Sequence, residues 1–258
     1  MTKREEWLAC GPNMIGATGG SGTRALALVM LEAGMFIGVQ RNRADDALAF
    51  VPFLDRWINP FLAYRKTPLW PAIQLGMRWD LRHALDRHLA PLGPQPRPWG
   101  SKNPRAMYVL PFLDSQWPNL RFLHLVRDGR DMAFSKNQNQ LQKHGRTLLG
   151  PLPEAWSTPA RSIALWSRIN TQVADYGEAR MPGRYLWLRF EDLCAEPART
   201  VRRALEFFGL QGDAGRLAGL VAPPASLGRW RQKDPQIVAE LHRVGRAALQ
   251  RFGYDISG

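Results

Sequence analysis

The sequence predicts an α/β fold in which helices flank a central parallel sheet on both sides, giving three layers. Short apolar runs, each predicted to be a strand, alternate with longer amphipathic runs predicted to be helices. A glycine-rich turn joins the first strand to the first helix, and no internal repeat or low-complexity tract interrupts the alternation. The length of 258 residues favours a single domain over 1–258.

The predicted strands are short, apolar and bounded by turn residues, as central parallel strands are. They cover 14–17, 35–39, 120–126 and 184–189. The predicted helices carry apolar residues on one face, at spacings of three and four. They cover 23–33, 44–64, 71–90, 105–116, 160–180, 198–208 and 236–251.

Glycine and proline mark the boundaries of these elements. Gly34 and Gly209 are the expected helix ends. Segment 91–98, which contains four prolines, is a predicted loop. Segment 145–159 is also a predicted loop, and we expect it to lie over the active site.

The most informative segment is 16–24, Gly-Ala-Thr-Gly-Gly-Ser-Gly-Thr-Arg, between the first strand and the first helix. Such a turn directs backbone N–H groups and the positive end of a helix at one point. Its glycines allow close approach of the backbone to a ligand and permit positive φ angles. The turn therefore predicts binding of a phosphate or sulfate group.

Three kinds of anion-binding loop share the glycine-rich character of this turn. A triphosphate P-loop has a lysine where this chain has Thr23. The turn of short-chain dehydrogenases has similar glycines, but their Tyr-x-x-x-Lys pair is missing, because no tyrosine here is followed by lysine four positions later. Residues 21–26, Ser-Gly-Thr-Arg-Ala-Leu, resemble the 5′-phosphosulfate loop of sulfotransferases, above all of their carbohydrate-modifying branch. Gly20 stands where that loop usually has a basic residue.

A second motif begins at Arg127, at the carboxyl end of the predicted strand 120–126. Ligands bind at this end of the strands in open α/β sheets. Ser135 follows eight residues later, about two turns into a predicted helix. This spacing resembles the 3′-phosphate motif of sulfotransferases, with Gly129 in place of the usual proline. A surface salt bridge to Asp131 would be the alternative role of Arg127.

Further segments resemble the same family in the same order, so that the resemblance spans 14–231. They are Lys102-Asn103-Pro104, Trp117-Pro118-Asn119, 185–193 and 226–230. The resemblance implies a soluble, bacterial-type transferase with a P-loop-like fold. It implies transfer of a sulfuryl group from 3′-phosphoadenosine 5′-phosphosulfate (PAPS) to a hydroxyl or amine of a small-molecule, carbohydrate or lipid acceptor. The product would be 3′,5′-bisphosphoadenosine (PAP), and no metal would be required.

The same resemblance implies roles for individual residues. The residues expected to hold the 5′-phosphosulfate are Gly19, Gly20, Ser21, Gly22, Thr23 and Arg24. Arg127 and Ser135 would hold the 3′-phosphate. Gly228, Arg229 and Trp230 would complete the nucleotide site, with Trp230 either stacked on adenine or buried in the core.

Candidates for catalysis follow from positions that match the family. Lys102 is the first candidate to stabilise the leaving oxygen, and Arg24 is the second. Asp46, and after it Asp45, are the candidates for the general base, because Asn42 occupies the position nearest to the glutamate of the carbohydrate-modifying branch. Both aspartates would otherwise cap a helix. The candidates held in reserve are His83, His88 and His124.

The charge favours a polyanionic ligand. Lysine and arginine number 35 and the acidic residues 22, which gives a formal charge of +13. A nucleic acid also suits this charge, but the chain has no zinc-finger spacing, RNA-binding aromatic motif or lysine-rich arm. We therefore expect no nucleic-acid partner. Two alternatives to a sulfotransferase stay open: an NAD(P)-binding Rossmann-type oxidoreductase and a non-catalytic polyanion-binding protein.

Cysteine content and hydropathy predict the cellular location. Cys10 and Cys194 match neither a disulfide framework nor a metal-binding spacing. The N-terminal residues lack the apolar region of a signal peptide, and no apolar run is long enough for a membrane span. We expect a cytoplasmic protein.

Overall fold

The structure is a computed structural model that describes residues 3–93 and 97–256. Residues 94–96 of the predicted loop 91–98 lie outside this description. Four parallel strands form one sheet in the order β2-β1-β3-β4: β1 (Asn13–Ala17), β2 (Gly100–Lys102), β3 (Arg121–Val126) and β4 (Tyr185–Arg189). The predicted α/β class with a central parallel sheet is confirmed.

Helices connect the strands and continue beyond the last one. They are α1 (Lys3–Ala9), α2 (Thr23–Glu32), α3 (Val51–Tyr64), α4 (Trp70–Leu89), α5 (Leu110–Gln116), α6 (Gly129–Ala133), α7 (Asn139–Leu149), α8 (Thr158–Arg180), α9 (Phe190–Ala195), α10 (Pro197–Phe208), α11 (Ala214–Ala218) and α12 (Pro235–Arg251). Short 3-10 segments are Leu48–Phe50, Pro104–Val109 and Arg229–Gln232. Among the described residues, no helix combines the length and apolar character that a bilayer span needs.

The sheet is buried between helices because its strands present apolar side chains on both faces. Successive strand residues point to opposite faces. Ile15 of β1 packs in a cluster with residues of α2 and α10, whereas its neighbour Met14 packs with residues of α3, α4 and α5. Val126 at the end of β3 packs with α8 and α12. These clusters give the three-layer arrangement predicted from the sequence.

The strand register explains why distant segments meet. Ala17 of β1 is paired with Leu125 of β3, and Ile15 is paired with Lys102 of β2. The glycine loop that leaves β1 therefore lies beside Arg127, which leaves β3. Because the strands are parallel, all these carboxyl ends lie at one edge of the sheet, where α/β proteins bind ligands.

The predicted strand 35–39 was wrong in its extent, because only one residue of it pairs. Phe36 forms a single bridge with Trp99 at the outer edge of β2. The Phe36 N–H donates to the Pro98 carbonyl, and the Gly100 N–H donates to the Phe36 carbonyl. Pro98 has no N–H to offer, and Gly38 turns the chain away with φ 97°. The ladder therefore cannot extend in either direction.

The helix after β3 is also shorter than predicted. α6 ends at Ala133, so Ser135 lies in the turn beyond this helix and not two turns into it. The side-chain amide of Gln138 donates to the carbonyls of Met132, Ala133 and Ser135. These bonds satisfy carbonyl groups that a continuing helix would otherwise use.

Two further boundaries differ from the predictions. Residues 145–149, predicted as part of a loop, are the last turns of α7. Residues 44–47, predicted as the start of a helix, form a turn, and α3 begins only at Val51.

Candidate active site

A cavity of about 630 Å³ opens at the carboxyl ends of β1, β2 and β3. Its walls come from the glycine loop, segment 42–55, residues 102–105, the turn after α6, α7 and segment 224–229. The charged residues that line it are Arg24, Lys102, Arg105, Arg127, Lys143, Arg229, Asp46 and Asp55. Cations outnumber carboxylates, which suits a polyanionic ligand.

The loop between β1 and α2 forms one end of the cavity. Gly22 immediately precedes α2 with φ 79°, a conformation that favours glycine. A Cβ at this position would lie 2.1 Å from the Phe190 ring, so a larger residue does not fit. Within the described residues no side chain caps α2. The Ala25 N–H donates to the Gly22 carbonyl at 3.1 Å, so the N–H groups of Thr23 and Arg24 are the ones left for a ligand.

Four of the predicted loop residues besides Gly22 also line the cavity, namely Gly19, Gly20, Thr23 and Arg24. Ser21 does not. Its side chain is 1% exposed, and its Oγ lies 3.0 Å from Oγ1 of Thr18. Ser21 therefore stabilises the loop from inside.

Arg127 holds the glycine loop and segment 224–229 together. It is 3% exposed. Its Nη1 donates to the Gly20 carbonyl at 3.2 Å, and its Nη2 donates to the Ser226 carbonyl at 2.6 Å and to Asp131 Oδ2 at 3.0 Å. The Asp131 salt bridge considered from the sequence is therefore present, but it is buried at the cavity wall. The Arg127 Nε has no partner among the described residues. A buried donor without a partner is costly, so this atom indicates a place for an anionic ligand.

Asp131 positions the segment that carries the predicted Gly228, Arg229 and Trp230. Its carboxylate accepts from the backbone N–H of Gly228 at 2.8 Å and from that of Trp230 at 3.3 Å. Arg229 lines the cavity, where burial and the nearby Arg127 charge lower the pKa of its guanidinium. A bound anion would relieve this repulsion between two cations.

Ser135 also lies at the cavity wall, close to the loop. A Cβ on Gly20 would be 3.4 Å from its Oγ. Trp230, in contrast, is not among the described residues that line the cavity. Its ring is covered by the Arg130 guanidinium at 3.8 Å and by Arg231 at 4.7 Å. Trp230 thus packs against these two arginines and does not contact the cavity in this structure.

Lys102 and Asp46 form the central ion pair of the cavity. The Lys102 side chain is 1% exposed, and its Nζ donates to Asp46 Oδ1 at 2.5 Å and to the Ala44 carbonyl. Burial lowers the pKa of the Lys102 ammonium, although the Asp46 charge acts against this shift. An ammonium group has three donors, so one N–H remains for a ligand oxygen.

Asn42 holds Asp46 from the other side. Its side-chain amide donates to Asp46 Oδ2 at 2.9 Å, and its Oδ1 accepts from the Ala44 and Asp46 N–H groups. The Asp46 carboxylate is thus fixed in orientation. It does not cap α3, which begins five residues later.

Asp45 is in a different environment from Asp46. It has φ 61° and directs its carboxylate to Arg24, at 3.1 Å from the Arg24 Nε. Asp45 is absent from the described residues that line the cavity. Of the two aspartates, Asp46 is therefore the one that a ligand in the cavity would contact.

The cavity contains an ion cluster that the sequence did not indicate. Asp55 of α3 accepts from Arg105 Nη1 at 2.5 Å and from Lys143 Nζ of α7 at 3.0 Å. Burial raises the pKa of Asp55, but the hydrogen bonds from the two cations outweigh it, so that this pKa lies below its usual range. Arg105 follows the predicted Lys102-Asn103-Pro104 segment directly, which is the one local signal for this cluster.

The three histidines considered as further candidates for the general base are not among the described residues that line the cavity. His124 is buried between Tyr185 and Asn170, and burial lowers its pKa to about 4. His88 bonds the Gly100 carbonyl, and burial likewise lowers its pKa to about 4. His83 lies on the outer face of α4 beside Trp79. We find no support for any of the three as the base.

Residues 36–214 match the model of the sulfotransferase family. This range covers more than half of the chain. The chain belongs to the sulfotransferase family. The match removes the Rossmann-type oxidoreductase from consideration. It includes the Arg127 strand and begins after the glycine loop.

Individual relatives agree with the family match. Human carbohydrate sulfotransferase 6 is 32% identical over 111 residues, which are 40% of this chain and 28% of that protein. The sulfotransferase domain of the Synechococcus PCC 7002 olefin synthase has a TM-score of 0.54 at 17% identity and covers 95% of this chain and 96% of that one. The sulfotransferase from Alicyclobacillus acidocaldarius has a TM-score of 0.54 at 15% identity and covers 96% of this chain and 98% of that one. These structures share the fold of this chain.

Proposed function

We propose that this chain is a PAPS-dependent sulfotransferase. The observation that carries the proposal is the placement of two anion-binding elements on one cavity: the uncapped start of α2 and the buried Arg127. They lie at the ends of neighbouring strands, as the pairing of Ala17 with Leu125 requires. A nucleotide with phosphate groups at both ends of its ribose matches this pair of sites.

The donor would be held from both sides. The first-turn N–H groups of α2 and the loop glycines bind the 5′-phosphosulfate. Arg127 Nε, which has no partner within the described residues, and the Ser135 hydroxyl bind the 3′-phosphate. Arg229 adds a cation beside Arg127. PAPS, when bound, supplies an electrophilic sulfuryl group.

Asp46 and Lys102 would carry out the proton transfer and the stabilisation of charge. Asp46 removes the proton of the acceptor hydroxyl or amine. The remaining N–H of Lys102 stabilises the negative charge that develops on the leaving oxygen. In this way Lys102 fills the gap left by Gly20, where relatives have a basic residue. The 2.5 Å Lys102–Asp46 contact keeps both groups in one place.

The acceptor would enter at the end of the cavity formed by Asp55, Arg105 and Lys143. We propose a small-molecule, carbohydrate or lipid acceptor. Cys10 and Cys194 are free, a state that a reducing compartment maintains. The free cysteines support a cytoplasmic location, and we propose an enzyme of the bacterial type.

The test has a binding part and a turnover part. PAP should raise the melting temperature in a thermal shift assay, because a ligand that binds only the native state stabilises it, whereas NADP should not. Incubation with PAPS and a cell extract should produce compounds heavier by one SO₃ unit, together with PAP. Stabilisation by NADP and not by PAP would contradict the proposal. PAP binding without any SO₃ transfer to extract compounds would contradict the enzymatic part alone.

A further inference from the structure

A second surface of the molecule, remote in sequence from the glycine loop, carries unusual exposed side chains. Tyr64, Leu69, Leu75 and Trp79 are 42%, 58%, 70% and 66% exposed. They make up half of the large apolar side chains that are exposed among residues 3–93 and 97–256. We call these four residues the α4 patch. Apolar groups gathered in this way mark interaction sites more often than isolated ones do.

The geometry of α4 brings together Leu75 and Trp79, the two most exposed residues of the patch. Leu75 and Trp79 are four residues apart, so they lie on the same face of the helix. The opposite face packs into the core through Met77, Leu81 and Leu85. Trp79 contacts only the neighbouring His83 among the described rings, at 4.8 Å between centroids. Leu75 and Trp79 therefore project from the outward face of α4, and Trp79 has no other ring partner among the described residues.

Cations surround the α4 patch. Lys66 precedes α4, and Arg78 and Arg82 follow Leu75 and Trp79 by three residues each; all three are exposed. Spacing of three residues places each arginine beside the apolar residue it follows. Their flexible stems allow the charges to lie at the edge of an apolar surface.

We propose that the α4 patch docks on the surface of a bilayer that contains anionic phospholipids. Leucine and tryptophan on one helix face, with lysine and arginine beside them, are typical of helices that lie in the membrane interface. The indole combines a large apolar ring with one N–H donor and suits the headgroup level. Anionic headgroups complement Lys66, Arg78 and Arg82.

Charge also argues against a second copy of the chain as the occupant. In a two-fold dimer through this patch the three cations of each copy would be brought into one interface. Like charges brought together in this way disfavour association. A lipid surface presents no such conflict, and the formal charge of +13 favours its approach.

The experiment is flotation of the full chain with vesicles of phosphatidylcholine alone and with vesicles that also contain phosphatidylglycerol. We expect binding to the anionic vesicles only, and weaker binding as salt is raised. The double variant Leu75→Ser/Trp79→Ser, and separately Arg78→Glu/Arg82→Glu, should each reduce the bound fraction about tenfold. The matched controls Leu220→Ser and Arg202→Glu/Arg203→Glu, on other exposed surfaces, should bind as the unaltered chain does.

Three results would overturn the proposal. The first is no flotation with anionic vesicles at low salt. The second is binding that the patch variants and their controls reduce equally. The third is a dimer, seen by sedimentation, that Leu75→Ser/Trp79→Ser dissociates, because the patch would then be covered by a second copy. Unchanged thermal stabilisation by PAP in all variants verifies that the fold is intact.

Discussion

The two ends of the cavity differ in whether their polar and charged groups already have partners. At the end formed by the glycine loop and Arg127, donors are left over: the first-turn N–H groups of α2 lack a side-chain cap, and Arg127 Nε has no partner in the described structure. At the other end the charges neutralise each other, with Lys102 on Asp46 and with Arg105 and Lys143 on Asp55. One end is ready for an anion, whereas the other is internally balanced.

This difference separates binding from chemistry. Unsatisfied donors give an anion a large gain on binding, because they are desolvated already. A balanced ion pair offers little net charge, but it fixes a carboxylate and an ammonium at 2.5 Å for proton transfer and charge stabilisation. We expect variants at the first end to change the affinity for PAP and variants at the second end to change turnover.

The largest effect is expected for Asp46→Asn. The amide keeps the shape of the side chain but cannot take a proton, so the rate of transfer from labelled PAPS to extract acceptors should fall about 10³-fold. The dissociation constant of PAP should stay within about twofold, since Asp46 lies at the balanced end. Asp45→Asn is the matched control, because Asp45 is absent from the described residues that line the cavity and pairs with Arg24. Equal rates for the two variants would remove Asp46 as the base.

Arg127→Ala should weaken PAP binding about 100-fold in titration calorimetry, because several charge-assisted hydrogen bonds are lost. Asp131 would lose its buried partner, so the melting temperature should be measured alongside. Arg121→Ala, at the amino end of the same strand, is the control and should bind PAP normally. A folded Arg127→Ala protein with unchanged PAP affinity would contradict the division between the two ends.

The lowered pKa of Lys102 predicts that the rate of sulfuryl transfer falls at alkaline pH. Burial lowers the pKa of the Lys102 ammonium below its usual range. The positive charge is therefore lost as pH rises through this lowered value, and the rate should fall there. In Lys102→Met, which preserves an unbranched side chain, the rate should be about tenfold lower and the alkaline fall should vanish. The same fall in both proteins would show that another group titrates.

Asp55→Asn should have the smallest effect. Asp55 is 43% exposed, so its ion pairs should contribute less than about 1 kcal/mol to the free energy of unfolding. Its lowered pKa means that this contribution is present above the pKa of the unfolded chain and is lost as pH falls through the lower pKa of the folded protein. Urea unfolding of both proteins from neutral to acidic pH would measure this. A difference that grows on acidification would contradict the assigned pairing.

The end formed by the glycine loop and Arg127 was largely predictable from the sequence, whereas at the balanced end only Lys102 and Asp46 were. The glycine loop and Arg127 are local patterns, each tied to the end of an apolar strand, and parallel pairing brings such ends together. Asp55 and Lys143 come from two helices without a motif, and they meet only because α3 and α7 pack together. Sequence spacing carries no signal for such a contact.

Two errors of the sequence analysis have the same physical origin. The helix predicted through Ser135 ends early because the Gln138 side chain takes its carbonyls. The strand predicted over 35–39 shrinks to one bridge because its neighbour Pro98 lacks an N–H. In both cases a single residue elsewhere decides where backbone hydrogen bonding stops, and hydrophobic periodicity does not report it.

A crystal structure of the complex with PAP would show whether the glycine loop and Arg127 bind the two phosphates of one nucleotide. We expect the 5′-phosphate at the first turn of α2 and the 3′-phosphate within hydrogen-bond distance of Arg127 Nε and the Ser135 hydroxyl. PAP bound at another cavity, or bound here with Arg127 making no contact to either phosphate, would contradict it.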